Sequence, residues 1–230
     1  MPYGYNGKIL HVNLTNGKFR VEKPGEAFYR KYMGGSALAL HYLLKEMPAG
    51  VDPLGSENVL VLALSVLTGS PISGQSRMTA AAKSPLTGAI GDSQGGCFFP
   101  AELKFAGFDA IVISGKSEKP VYLWIEDGNK ELSDASHLWG KITGEAESAI
   151  KSELGDSKIE VLQIGPAGEK GVRFAGIFSM SNRANGRTGM GAVMGSKHLK
   201  AIAVRGKNRP KAADKTRLNQ LAKWGASHLD

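Results

Sequence analysis

The sequence predicts an α+β domain built on mixed, mostly antiparallel β-sheets with a few helices. Three observations carry this. Short apolar or alternating runs outnumber helical ones, giving roughly nine or ten strands against three or four helices. Turn signals such as Thr15-Asn16-Gly17 and Asp127-Gly128 join alternating runs into hairpins. Strand–helix–strand alternation is not the dominant order, so a doubly wound parallel sheet is not indicated.

Taken in order, Lys8 to Leu14 alternates as a strand does, turns at Thr15-Asn16-Gly17, and returns over Lys18 to Glu22. His11 is part of that alternation and reads as a strand residue. Gly25 to Met33 reads as a helix stopped by Gly34-Gly35, and Ala37 to Met47 has strong helical periodicity that places His41 on a helix face. Val59 to Val66 is a continuous apolar run, the pattern of a buried strand. Leu67 to Gly96 is dense in Gly, Ser, Thr and Pro, with Leu67-Thr68-Gly69 echoed at Leu86-Thr87-Gly88. It reads as a long functional loop region with one short strand, Met78 to Ala82. A short helix entered through Pro100 precedes a strand at Asp109 to Ser114. Val121 to Glu126 is a further strand, ended by its hairpin turn, and Asp134 to Leu138 a turn. Thr143 to Leu154 is a helix with Thr143 as N-cap and Glu147 in the first turn. Glu160 to Ile164 and Val172 to Met180 read as strands, Ala192 to Leu199 as a helix, Ala201 to Val204 as a strand, and Asp214 to Leu229 as a helix.

Composition bounds the function classes. With 230 residues, 42% hydrophobic and 22% charged, the chain suits one large globular domain or two small ones. Its 30 glycines have no period, which excludes a collagen. Apolar runs are far too short to span a bilayer and the first residues hold no signal-peptide core, so a cytoplasmic location is the expectation. Cys97 is the single cysteine, so this chain has no thiolate set for an iron–sulfur cluster or a structural zinc. The net charge is +8, and Lys197 to Lys223 accounts for all of it, with nine basic residues against Asp214. Without interleaved aromatics that segment reads as a solvated face or a surface for an acidic partner, and nucleic acid is not the expected partner.

Ser181 to Arg205 organises the functional reading. It sets Gly186, Gly189, Gly191 and Gly195 beside Arg183 and Arg187, ahead of a helix and an apolar strand. Glycines expose backbone N–H groups, a helix N-terminus favours an anion, and arginines grip phosphate oxygens in pairs. A phosphorylated ligand fits that pattern, and so does a turn that packs a helix close to its sheet. Neither standard phosphate motif is met: Gly189-Met190-Gly191 with Gly195 has one residue too many for the dinucleotide fingerprint, and Gly191 to Lys197 misplaces the P-loop lysine. Arg77 stands in a polar neighbourhood, and Gly95-Gly96 offers a second stretch of open backbone. Asp92, Glu102 and Asp109 are scattered carboxylates read as structural.

The chain resembles the N-terminal domain of the tungsten-containing aldehyde ferredoxin oxidoreductase family from about Tyr3 to about Lys215. The resemblance rests on seven segments in the same order: GKILHVNLTNG, VDPLGSENVLVLALSVLTG, AAKSPLTGAI, GGCFFPAELKFAGFDAIVISGKSEKPVYLWI, DASHLWGK, IGPAGE and RANGRTGMGAVMGSKHLKAIAV. It implies an enzyme that oxidises aldehydes and passes electrons to ferredoxin. The implied cofactor is tungsten, or molybdenum, on two pyranopterins, with magnesium bridging their phosphates. The implied domains are a pyranopterin-binding unit over 1–210 and, over 211–230, the start of a following helical domain or a C-terminal tail. By motif, Arg77 contacts the pterin and its phosphates, and Ser93, Gln94, Gly95 and Gly96 line the pterin. Arg183, Ala184, Gly186, Arg187, Gly189 and Gly191 hold phosphate, and the carbonyls of Ser93 and Ala184 reach magnesium. Ser93 departs from the Asn associated with its place, which a backbone ligand tolerates. The family's 4Fe-4S cluster and its acid–base residues belong to helical domains not contained in this chain. No catalytic residue is therefore assigned, and the chain alone is expected to be inactive. The helical domains, in cis or trans, and ferredoxin are the implied partners. The alternative is a non-catalytic pterin-binding or homodimeric interaction module on the same fold.

Overall fold

The computed structural model describes residues 3–228. The first half of the chain holds strands β1 (Ile9–Asn13) and β2 (Lys18–Glu22), helices α1 (Glu26–Tyr32) and α2 (Gly35–Glu46), strands β3 (Leu60–Ala63), β4 (Arg77–Lys83) and β5 (Ile90–Gly96), helix α3 (Phe99–Phe105) and strand β6 (Ala110–Ser114). The second half holds β7 (Val121–Glu126), β8 (Asn129–Asp134), α4 (Thr143–Leu154), β9 (Glu160–Gln163), α5 (Pro166–Glu169), β10 (Ile177–Ser179), β11 (Arg183–Asn185), α6 (Met190–Ser196) and β12 (Leu199–Arg205), with α7 (Lys215–Ala226) after it. The α+β class with mixed, mostly antiparallel sheets is what the structure shows.

The strands form two six-stranded sheets, β2-β1-β6-β3-β4-β5 and β11-β10-β9-β12-β7-β8. Read from its far edge, the second order is the first with every number raised by six. The pairings repeat as well: β1 with β6 and β7 with β12 are parallel, and the other pairs are antiparallel. Registers coincide, with Leu62 opposite Ile111 in one half and Leu162 opposite Ile202 in the other. The domain is thus one six-stranded motif present twice.

Burial explains the layering. Leu10, Leu62 and Ile111 of the first sheet meet Leu123, Leu162 and Ile202 of the second in one core, joined by Leu103 of α3 and Val193 of α6. Each such side chain removed from water contributes about 1.5–3 kcal/mol. On the far face of the first sheet, α1 and α2 cover Ile9, Val61 and Val112, and on that of the second α4 covers Val161, Ala201 and Ala203. Buried lysines tie the connections. Lys104 donates to Asp109 at 2.7 Å, Lys200 pairs with Glu169, and Lys197 donates to the carbonyls of Asn58 and Gly115. Burial without a counter-charge pushes the Lys197 ammonium down to about 8.

Several expectations are corrected. Within the stretch read as a loop region from Leu67 to Gly96, the short strand expected at Met78 to Ala82 is the longer β4, and a second whole strand, β5, pairs with it. Val172 to Met180, read as a strand, holds only Ile177–Ser179 in one. The N-cap of α4 is Ile142, not Thr143, and the acid in the first turn is Glu145. The basic segment is not one solvated face: Lys197 and Lys200 are buried and Arg205 is paired with Glu102 and Asp156. Leu229, read as the end of the last helix, lies outside the described residues. Among the described residues no helix is long and apolar enough to cross a membrane.

Candidate functional site

The two sheets meet edge to edge where β5 lies beside β11, and the duplication makes these corresponding strands. The registers put Gly95 and Asn185, and Gly96 and Gly186, at equivalent places. The seam therefore brings Ser93, Gln94, Gly95 and Gly96 alongside Arg183, Ala184, Gly186 and Arg187. Arg77 joins them because it pairs with Gly96 across the β4–β5 ladder. Nine residues from three stretches of the chain are joined by this one relationship.

Buried polar contacts lock the seam. The Asn185 side-chain amide donates to the Ser93 carbonyl at 2.6 Å, and the Arg187 backbone N–H donates to the Ser93 hydroxyl at 3.0 Å. Ser93 and Asn185 are both buried. A Cβ on Gly95 would stand 2.6 Å from Asn185 Oδ1, so glycine there makes room for the asparagine. Asn185 was not singled out in the sequence. Its place between Arg183 and Arg187 was the available signal.

Alternation along β5 turns Asp92 and Gln94 outward. Arg77, Asp92, Gln94, Arg183, Ala184, Gly186 and Arg187 are exposed. Among the described residues the guanidinium groups of Arg77, Arg183 and Arg187 have no ion-pair partner. A Cβ on Gly96 would stand 3.3 Å from Arg77 Nη1, so Gly96 gives that guanidinium space over the strand. At Gly186 a Cβ would meet nothing closer than the Ala184 Cβ at 3.6 Å, which leaves its backbone open to a ligand. A cavity of about 360 Å³ adjoins the seam, lined by Arg77, Gln94, Thr79, Gln75 and the Gly34–Gly35 turn that starts α2. Three cations without partners around open backbone form a surface suited to phosphate oxygens.

Gly189 and Gly191 sit differently. Both are buried, and a Cβ would lie 2.0 Å from the Arg173 carbonyl oxygen and 2.2 Å from that of Gly176. Gly195 would meet the Gly168 carbonyl at 2.0 Å. Close packing of α6 against neighbouring backbone requires glycine at all three. Asp109 and Glu102 take the structural roles read from the sequence, with Asp109 accepting from the backbone N–H of Gly7 at 2.7 Å and from Lys104, and Glu102 paired with Arg205. His11, Glu22 and Glu46 come within metal-ligand range of one another. The carboxylates lie on opposite ring nitrogens, at 3.0 and 3.3 Å, and Arg20 reaches both, so this is an ion network. Burial pushes the Cys97 thiol up and keeps it protonated.

A family model described as "Aldehyde ferredoxin oxidoreductase, N-terminal domain" matches residues 9–206. A tungsten-containing aldehyde ferredoxin oxidoreductase of Thermococcus kodakarensis is 52% identical over 213 residues, covering 93% of this chain and 35% of that protein. One from Pyrococcus furiosus is 50% identical over 213 residues, again 93% and 35%. The same organism's aliphatic sulfonate oxidoreductase, WOR-like subunit, is 36% identical over 95% of this chain and 37% of its own length. Among solved structures, the active site complex BamBC of benzoyl-coenzyme A reductase with 1,5-dienoyl-CoA superposes at a TM-score of 0.93 with 37% identity, covering 97% of this chain and 34% of that one. The chain spans about a third of the length of these relatives.

Proposed function

The chain belongs to the aldehyde ferredoxin oxidoreductase family through its N-terminal domain, and from this premise we propose that it forms the cofactor-holding part of a tungsten bis-pyranopterin oxidoreductase. In this reading the complete enzyme oxidises an aldehyde and hands the electrons to ferredoxin. The helical domains that complete it are supplied in cis or in trans. The observation that carries the reading is the seam: the glycine-bearing edge strand β5 and the edge strand β11 with Gly186 just after it, brought together by the duplication, with three arginines that have no ion-pair partner among the described residues.

The residues fit the implied group. Arg77, Arg183 and Arg187 would neutralise phosphate oxygens, and Gly96 and Gly186 would let the ligand approach the backbone. Gln94 would hydrogen-bond a pterin edge. The carbonyl of the exposed Ala184 would serve a magnesium ion. The Ser93 carbonyl is buried, accepts from Asn185 and lies opposite Ala80 in the β4–β5 ladder, so it is the less open of the two for that cation. Gly189 and Gly191 would act indirectly, by seating α6 beneath the loop. The bound metal would supply the two-electron redox chemistry. This chain's own contribution is to bind and orient the cofactor against one rigid face. Met33 and Phe98 are exposed around that face, a rim for the remaining domains to cover.

The test is calorimetric titration of the purified protein with magnesium pyrophosphate. Charge reversal at Arg183→Glu with Arg187→Glu should abolish binding while the thermal transition stays within a few degrees of the parent. Unchanged binding would remove the seam as the phosphate site.

A further inference from the structure

A second cavity, of about 910 Å³, lies between the Val66–Pro71 loop and the segment from Arg209 to Asn219. Its volume falls in the ~300–1,000 Å³ range typical of small-molecule sites. The backbone N–H of Gly4 donates to the Lys211 carbonyl at 2.9 Å, so the N-terminal segment and the C-terminal linker together wall it in. The walls are apolar, with Tyr3, Leu67, Pro71, Pro210, Ala212 and Leu218. The charge is one-sided: among the described residues Arg209, Lys211 and Lys215 line the cavity and no carboxylate does. Among the described residues none of the three has an ion-pair partner, and the Arg209 guanidinium instead stacks over the Phe105 ring at 4.8 Å. The Ser70 hydroxyl in the lining is buried and has no hydrogen-bond partner. The first turns of α7 complete the wall through Lys215, Leu218 and Asn219, one helix face at i, i+3 and i+4.

We propose that this cavity is a binding site for a small organic anion with an apolar body and a single carboxylate. Apolar walls reward burial of a hydrocarbon body, and the unpartnered Ser70 hydroxyl and the lysines call for an acceptor of negative charge. A bare inorganic ion would leave the apolar walls unsatisfied, and a neutral hydrocarbon would leave the cations without a partner. The site is distinct from the seam, although Val66 and Leu67 line both cavities and make them neighbours. It does not depend on the cofactor reading.

The experiment is calorimetric titration of the full chain with hexanoate, with hexanol and inorganic phosphate as comparison probes. Hexanoate should bind more tightly than either. Lys211→Glu with Lys215→Glu should weaken it at least about tenfold, since the variants replace attraction by repulsion at exposed positions. Ala212→Trp, which fills the cavity without changing charge, should do the same. Arg183→Glu with Arg187→Glu, on the seam, should leave hexanoate binding unchanged. No hexanoate binding, equal binding of hexanol or phosphate, or hexanoate binding indifferent to both cavity variants would each overturn the proposal.

Discussion

Asn185 donates its side-chain amide to the carbonyl of Ser93 across the seam, at 2.6 Å and out of contact with water. One residue comes from each copy of the duplicated motif, so this bond fixes how the two sheets meet. Asn185→Ala leaves the Ser93 carbonyl buried without that partner, and should cost about 1–3 kcal/mol. Chemical denaturation of the variant measures it. A loss below about 0.3 kcal/mol would show that the sheets are held together elsewhere.

The glycines of the seam separate into two kinds. Gly191→Ala drives a Cβ against the Gly176 carbonyl and should destabilise by about 1–3 kcal/mol or more. Gly186→Ala makes only an ordinary contact with the Ala184 Cβ at 3.6 Å and should change stability by no more than about 0.5 kcal/mol, while weakening magnesium pyrophosphate binding. Thermal scans and titrations on the same two variants separate packing glycines from ligand glycines.

That distinction marks the limit of what was legible. The sequence showed the fold class, most strands with apolar or alternating patterns, and the residues of both ligand stretches. It did not show β5 or β11. Ile90–Gly96 alternates in burial, yet its buried positions are Gly91, Ser93 and Gly95, which carry no hydrophobic signal. Arg183–Asn185 is three residues long and polar. Their strand character comes from the neighbouring ladder, which is tertiary information. The duplication was hidden for a related reason: the copies share registers such as Leu62–Ile111 and Leu162–Ile202, but their connections differ in length and content. The echoed Leu-Thr-Gly lies within one copy and is not that repeat.

Lys104 and Asp109 form a buried pair at 2.7 Å, and Asp109 also accepts from the Gly7 backbone and the Tyr29 hydroxyl. Burial pushes the Lys104 ammonium down, opposed by the adjacent carboxylate. Lys104→Met strands that carboxylate and should cost about 3–5 kcal/mol by denaturant titration. A neutral outcome would mean that the backbone donors alone hold Asp109.

Glu160, at the start of β9, has its carboxyl pushed up to about 7 by burial, and one of its oxygens has no hydrogen-bond partner. A raised carboxyl binds its proton more tightly in the folded state than in the unfolded chain. Stability should therefore fall as pH rises from the unfolded carboxyl value through 7. With partial exposure screening the effect, Glu160→Gln should gain roughly 1–2 kcal/mol at pH 8 and nothing at low pH. Parallel melting curves across that window check it, and a gain independent of pH would assign the effect to packing instead.

The central claim is that the seam holds a phosphate-bearing metal–pterin cofactor. Native mass spectrometry of the protein, purified untagged from its own cells in whatever assembly it occupies, tests this most directly. The account predicts extra mass matching a tungsten or molybdenum bis-pyranopterin, lost when Arg183 and Arg187 are both changed to Glu in that assembly. An intact assembly carrying no metal or pterin mass, or one that keeps the full cofactor after both arginines are reversed, would contradict it.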